Sequence, residues 1–315
     1  MNILLTGSGC PGWYATFKQL QEYRVFGCDI QDNTAGNYLA TKHFVVTSGN
    51  SKSYLNMMKN IVEFYNIDVV VPLTDPELIP LSKSDLPVMV SETSELEKML
   101  DKSKLYDTLP NISPNFIRTN NKDEVRNFME DNSCFIKLIT AYGSRGTKKL
   151  ILTEDWLEGF ATLKPEAFGL TFPLDYLDRI QEDIIAVETL PGDEYSIDCV
   201  FNKDGELHFL GARQRKLTRS GICHTALFVD KEEFREFVSE VQKHINMRWN
   251  INIQAKRDKN GDLKLLEINP RISGSLDSFA APLAQLGVAL FIGSPPPVCK
   301  SSHGYRYRVS HFIGK

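Results

Sequence analysis

Residues Trp249 to Ser275 read WNINIQAKRDKNGDLKLLEINPRISGS, and their patterning decides how the C-terminal half folds. Asn260-Gly261 is a two-residue hairpin signal, because both residue types tolerate positive φ, and alternating strand-like runs flank it. Such a turn sets Lys259 opposite Asp262, so that Gln254 faces Glu267 and Asn252 faces Asn269. On the other side of the ribbon Ile253 meets Ile268 and Ala255 meets Leu266, giving one apolar packing face and one face of oxygen ligands. Hard cations such as Mg²⁺ take oxygen donors, commonly one or two carboxylates completed by substrate phosphates. Gln254, Glu267 and Asn269 supply that set, and Arg271, just past Pro270, is placed to neutralise phosphate or a developing acyl phosphate. The bland alternative is the solvated face of an amphipathic hairpin. One carboxylate with an adjoining arginine makes the metal reading at least its equal.

Around this hairpin the 315-residue chain has an ordinary globular composition, 42% hydrophobic and 24% charged, long enough for two or three packed units. A net charge of −4 with scattered Lys and Arg gives no basic field for nucleic acid or an anionic membrane. No run approaches the roughly 20 apolar residues that span a bilayer, and the N-terminus lacks a signal-like pattern, so the expected location is the cytoplasm. The six cysteines, at 10, 28, 134, 199, 223 and 299, form no C-x-x-C pair and read as reduced, mostly buried thiols.

The first ninety or so residues alternate strand and helix signals. Strands are expected at Asn2 to Thr6, Arg24 to Ile30, Ile67 to Leu73 and Pro87 to Val90, with helices running to Tyr23 and from Ser53 to Tyr65. That is a small parallel α/β sheet. Its first turn, Gly7-Ser8-Gly9-Cys10-Pro11-Gly12, fits G-x-G-x-x-G, and Asp29 lies where a dinucleotide-binding fold grips a ribose. Ser94, with Glu97 three residues on, reads as the N-cap of a helix through Leu96, Leu100 and Leu105.

From Ser113 to Val187 short strands (Asn115 to Arg118, Cys134 to Leu138, Lys149 to Thr153) surround a helix at Lys122 to Asp131, a compact α+β segment. The stretch Leu163 to Gln181 reads as a loop with helical turns. Beyond it Glu194 to Phe201, Glu206 to Gln214, Trp249 to Arg257 and Leu263 to Asn269 are strands, with helices at Lys231 to Met247 and after Ser275. The C-terminal half is therefore an antiparallel sheet with helices. These signals divide the chain at 1–93, 94–187 and 188–315.

Glu267-Ile268-Asn269-Pro270-Arg271, with Gln254 on the preceding strand, resembles the metal-binding end of the ATP-grasp superfamily, and the resemblance extends upstream over nearly the whole chain. It points to the ATP-binding half-units of the carbamoyl phosphate synthetase large subunit and to ATP-grasp amino-acid ligases. Asp101-Lys102 resembles the family's first phosphate-contacting lysine, and Lys137, ending Phe135-Ile136-Lys137, resembles the second. Ala141 to Thr147 looks like the glycine-rich lid, with Gly143, Ser144, Arg145 and Gly146 at the phosphates. Val187 to Asp198 resembles the adenine hinge, which puts Glu188 and Leu190 at the base and Glu194 on the ribose. Arg213, Arg215 and Ser220 to His224 fall where the family contacts the acceptor or the triphosphate, although Cys223 interrupts the Gly-Ile-His run of the synthetases.

The resemblance implies an α/β (α+β) chain with an ATP-grasp fold preceded by a Rossmann-like domain that holds no dinucleotide. Gly9 and Gly12 then serve a tight turn and cradle an anionic group of the second substrate. The implied reaction is activation of a small carboxylate by ATP, with two Mg²⁺ or Mn²⁺ ions sharing Glu267, followed by amide formation with an amine such as an amino acid. Lys137 and Arg271 are the implied catalytic pair. The partners are small molecules, with neither nucleic acid nor membrane, and a homodimer is left open. Three rivals stand beside it: a carbamoyl-phosphate-synthetase-like phosphorylation, an NAD-binding oxidoreductase, and a nucleotide-binding regulator without turnover.

Overall fold

A computed structural model describes residues 1–129, 133–139, 147–151, 171–173, 177, 183–219, 222–274, 281–299 and 305–307. They fall into two compact units, one built from Met1–Leu100, Glu194–Ala255 and Glu267–Lys315, the other from Asp101–Asp193 and Lys256–Leu266. Among the described residues no helix is long and apolar enough to cross a membrane. All six cysteines are free thiols.

The first unit begins with β1 (Asn2–Leu5), α1 (Trp13–Leu20), β2 (Arg24–Asp29), α2 (Gly36–Leu39), β3 (His43–Val45), α3 (Tyr54–Tyr65), β4 (Val69–Val71), α4 (Asp75–Ser82) and α5 (Thr93–Leu100). The strands form a parallel sheet in the order β3-β2-β1-β4. Ile3, Leu5, Val25, Val69 and Val71 enter one core with Trp13 and Leu20, while Leu4, Phe26 and Val70 enter another with Tyr54, Met58 and Ile61. Burial of both faces is what an all-parallel sheet requires, and it explains the continuous apolar runs of these strands. Pro87 to Val90 does not form the expected strand. Only Val88 bridges Val70, because Pro87 carries no N–H to extend the ladder.

The helix expected from Ser94 starts earlier, since Glu95 and Leu96 both donate to the Glu92 carbonyl at 3.0 Å. It also stops at Leu100 instead of passing through Leu105. The break has a cause: the Asp101 carboxylate accepts from Ser103 N at 2.9 Å and Lys104 N at 3.0 Å, capping a new helix, α6 (Lys102–Thr108).

The second unit continues with β5 (Phe116–Arg118), α7 (Lys122–Phe128), β6 (Ser133–Leu138), β7 (Thr147–Ile151), β8 (Thr171–Pro173) and β9 (Ile184–Glu188). Its sheet runs β5-β9-β6-β7-β8. Cys134, Ile136, Leu150, Ile184 and Ala186 close one face over Val125 of α7. Phe135, Lys137, Thr147 and Lys149 share the other, paired as Phe135 with Lys149 and Lys137 with Thr147. Within the stretch read as a loop from Leu163 to Gln181, Thr171–Pro173 is a strand, β8, that pairs parallel to β7 with Lys149 beside Thr171, and apart from Leu177 the rest of that stretch lies outside the described residues.

A six-stranded sheet contains β10 (Glu194–Phe201), β11 (Leu207–Arg219), β12 (Ile222–Val229), β13 (Trp249–Arg257), β14 (Leu263–Asn269) and β15 (Tyr305–Tyr307), all of it in the first unit except the hairpin end, Lys256–Leu266. The order is β14-β13-β10-β11-β12-β15. Two helices accompany it, α8 (Glu232–Gln242) and α9 (Leu283–Ile292). Helix α8 buries Phe234, Phe237, Val238 and Val241 at helical spacing but ends before Met247. Strand β12 was not legible as a strand, and β11 runs five residues past Gln214.

The hairpin turn between β13 and β14 differs from the two-residue reading. Asp258 N–H donates to the Asp262 carbonyl at 2.9 Å, and Gly261 N–H returns to the Asp258 carbonyl at 3.2 Å. Gly261 alone of the turn has positive φ, at 89°. This is a three-residue loop with a glycine bulge. The Asp258 carboxylate organises it, accepting from Asn260 N at 2.8 Å and Asp262 N at 2.9 Å. Next to the turn Asp258 therefore stands opposite Asp262, where Lys259 was expected. Accordingly Leu265, not Leu266, is the fully buried leucine. Ile268 is buried three residues later, so strict alternation is interrupted between them.

Candidate active site

In the second unit the two candidate lysines are set by neighbouring elements. Lys102 is the first residue of α6, buried, with its N–H on the Ile139 carbonyl at 3.1 Å. Asp101 thus owes its place beside Lys102 to capping. Lys137, half-buried, is the last residue of β6 on the face it shares with Phe135, and its Nζ donates to the Tyr106 hydroxyl at 3.0 Å. Tyr106 was not singled out by the sequence, although it sits one helical turn after Lys102, the spacing that puts both on one face of α6. Lys149 shares the β6–β7 face with Lys137. Burial holds its pKa below the usual lysine value, and the Lys256 ammonium lowers it further. Two like charges held close favour an anion.

Glu188, at the end of β9, receives Asn115 N at 2.7 Å on its carboxylate, and its own N–H donates to the Asn115 carbonyl at 3.0 Å. Leu190 is buried. Gly143, Ser144, Arg145 and Gly146 lie outside the described residues.

In the first unit Glu194 holds Arg215, with carboxylate oxygen to Nε at 2.7 Å, and Arg215 also donates to Ser196 Oγ at 3.0 Å. Two sequence candidates are thereby brought together. Arg213, two residues earlier on the same strand, is fully buried. Its guanidinium donates to Asp198 at 2.7 Å and to Ser273 Oγ at 3.1 Å, and Asn252 Nδ2 satisfies the other Asp198 oxygen at 3.1 Å. Arg213 is thus an internal strut for the segment that follows β14.

The oxygen-rich end of β14 carries Glu267 and Asn269, joined by Asn269 Nδ2 donating to Glu267 Oε1 at 3.1 Å. Gln254 is half-buried on the neighbouring strand β13. Arg271 turns to the first residue of α4, contacting Asp75 through Nε at 2.5 Å and Nη2 at 3.3 Å. Burial opposes the guanidinium charge, but the Asp75 carboxylate more than offsets this and holds its pKa above the usual arginine value. Asp75 was not singled out by the sequence; in the structure it opens α4, where Thr74 and Glu77 form a capping box.

The glycine loop lies in the same unit. Gly7 has φ +59°, which the sharp exit from β1 requires. Gly9 N–H donates to Asp29 at 2.9 Å, so that carboxylate is engaged by the loop itself. At Gly12 an added Cβ would come within 3.0 Å of the Ser273 carbonyl and 3.1 Å of Gly274 Cα, placing the chain's own backbone against the start of α1. Burial pushes the Cys10 thiol up to about 11 despite the lowering pull of Arg271, which makes it a poor thiolate nucleophile.

Residues 181–309 match the family model described as ATP-grasp in the biosynthetic pathway with Ter operon, and residues 3–92 match the PylC-like N-terminal domain. No curated protein matches the chain in sequence. Solved structures similar to it include N5-carboxyaminoimidazole synthetase from Staphylococcus aureus complexed with ADP, at 16% identity and a TM-score of 0.72, covering 97% of this chain and 79% of that one. The biotin carboxylase domain of 2-oxoglutarate carboxylase from Hydrogenobacter thermophilus, in complex with MgADP, ADP and bicarbonate, is 11% identical with a TM-score of 0.69, covering 95% and 71%. L-amino acid ligase from Bacillus licheniformis is 15% identical with a TM-score of 0.67, covering 92% and 74%. Residues 181–309 thus match an ATP-grasp family model and residues 3–92 a PylC-like N-terminal domain, and the fold of the chain is similar to those of these three structures.

Proposed function

We propose that this protein is an ATP-dependent, ADP-forming ligase that joins a small carboxylate to an amine. The observation that carries the reading is the row Glu267, Asn269 and Arg271, with Asn269 bound to Glu267 at 3.1 Å and Arg271 held by Asp75. Two of the similar structures hold ADP, and the third is named an L-amino acid ligase. The oxygen donors suit a hard divalent cation. Gln254, Glu267 and Asn269 bring one carboxylate between them, so substrate phosphate oxygens would complete the shell of such an ion. Gln254, Glu267 and Asn269 would hold Mg²⁺ or Mn²⁺, two ions sharing Glu267. Such an ion, when bound, neutralises phosphate charge.

Lys102 and Lys137 place their charges on the α- and β-phosphates, with Gly143, Ser144, Arg145 and Gly146 over them. Glu188 and Leu190 read the adenine, and Glu194 takes the ribose. Gly9, Gly12 and Arg215 serve the acceptor, with Arg213 fixing the strand beneath Arg215. In this division residues 1–93 receive the second substrate, 94–187 hold the phosphates, and 188–315 carry the ribose and metal positions. A carboxylate oxygen attacks the γ-phosphorus, the bond to the β-phosphate oxygen breaks, and ADP leaves. Arg271 neutralises the resulting acyl phosphate. The amine nitrogen then attacks the acyl carbon, loses a proton to solvent, and phosphate departs. Such phosphoryl chemistry asks the protein mainly for positioning and charge, with no side-chain nucleophile. Free thiols throughout the chain fit a cytoplasmic enzyme.

The test is ADP release over a panel of amino acids offered as both carboxylate and amine, with mass analysis of the product. Paired stimulation by one carboxylate and one amine is expected, and it should vanish in Glu267→Ala while the fold persists. Wild-type turnover in that variant would remove the assignment, as would NAD binding with no response to ATP.

A further inference from the structure

Tyr106 joins a candidate phosphate lysine to the strand that leads to Glu267, although neither the sequence motif nor the proposed chemistry assigns it a task. Its side chain is fully buried and meets Phe116 edge-on, with ring centroids 5.3 Å apart. The hydroxyl donates to the Leu266 carbonyl at 2.8 Å and accepts from Lys137 Nζ at 3.0 Å. A phenol has one hydrogen to give. With that hydrogen on Leu266, the oxygen can meet Lys137 only as an acceptor, which favours the ammonium and fixes where it sits.

We propose that Tyr106 is a positioning residue for nucleotide binding: it holds the Lys137 ammonium in place ahead of the phosphate it is to meet. The inference rests on the reading of Lys137 as a phosphate contact. Its physical basis is pre-organisation. A lysine stem loses rotamer freedom when fixed, and a stem already fixed by folding does not lose it again on binding. Helix α6 extends the same logic to Lys102, whose backbone is set by the Asp101 cap one turn before Tyr106.

Calorimetric titration with MgADP, carried to millimolar concentration on the full chain, tests this with Tyr106→Phe, Lys137→Met and the double variant. Tyr106→Phe keeps the ring against Phe116 and removes only the hydroxyl. It should weaken MgADP about tenfold in the wild-type background, the value of one hydrogen bond to a charged group, and less than about twofold when Lys137 is already methionine. Equal weakening in both backgrounds, or none in either, overturns the proposal, since the hydroxyl would then act on folding or not at all. A wild-type chain that binds no MgADP is a separate result, and it overturns the nucleotide reading on which the proposal stands.

Discussion

Arg271 is held by Asp75 across 196 residues of chain, Nε to Oδ1 at 2.5 Å and Nη2 to Oδ2 at 3.3 Å. The pair ties the residue after the β14 motif to the first turn of α4, and both side chains are largely shielded from water. An arginine gripped this way has a fixed direction. Asp75→Asn should leave MgADP affinity close to wild type and lower turnover about a hundredfold, the scale of a misplaced charge at a reacting centre. Steady-state ADP release alongside MgADP calorimetry separates these outcomes. A variant that loses both equally would show that Asp75 serves the fold instead.

How far the sequence reached can be judged from residues on either side of this pair. Glu267, Asn269 and Arg271 were legible because a strand motif and its turn are local: all the information sits within one hairpin. Even there the turn was read one residue short, since Asp258 accepts two backbone N–H groups and moves the closure to Asp262. Asp75, Tyr106 and Asp198 were not legible. Their partners lie 196, 31 and 15 residues away, and no periodicity marks which distant carboxylate or phenol will face a given cation. Strands β1, β2 and β4 of the parallel sheet were read well because burial on both faces makes them apolar throughout. Strands β3, β8, β12 and β15 were missed, since His, Thr, Pro or Arg interrupts their short apolar runs.

The shared face of β6 and β7 carries a trade between stability and binding. Burial and the Lys256 charge hold the Lys149 pKa below its unfolded value. Between the lowered folded pKa and the unfolded one, the unfolded chain binds more protons, so stability rises as pH increases through that window. Lys149→Met removes this dependence. It should match or exceed wild-type thermal stability at pH 7, lose the alkaline gain, and bind MgADP more weakly. Thermal melts at neutral and alkaline pH with a nucleotide titration check all three. Unchanged nucleotide affinity would count against an anion beside Lys149.

Arg213 and Asp198 make a different prediction, because the pair is internal. Arg213→Met would leave the Asp198 carboxylate buried without its arginine, while Asn252 still donates to its other oxygen. Removing one member of a buried ion pair costs about 3–5 kcal/mol. The urea midpoint should fall accordingly. A variant with wild-type stability and a raised KM for the acceptor would instead place Arg213 in direct substrate contact.

Gly12 tests whether the glycine loop serves the acceptor. A methyl group there meets Ser273 O at 3.0 Å and Gly274 Cα at 3.1 Å, both backbone atoms that cannot rotate away. Ser273 is in turn bound to Arg213 at 3.1 Å, and Arg271 lies two residues before it. Gly12→Ala should therefore push on the segment that carries Arg271, at a stability cost of about 1–3 kcal/mol. The kinetic signature follows from location: the displaced atoms lie next to the residue assigned to the acyl phosphate and away in sequence from Lys102 and Lys137. Acceptor KM and turnover should change several-fold while MgADP affinity stays within about twofold of wild type, a range set by ordinary mutational scatter. Parallel loss of nucleotide binding would move the glycine loop to the ATP side and withdraw the acceptor role from it.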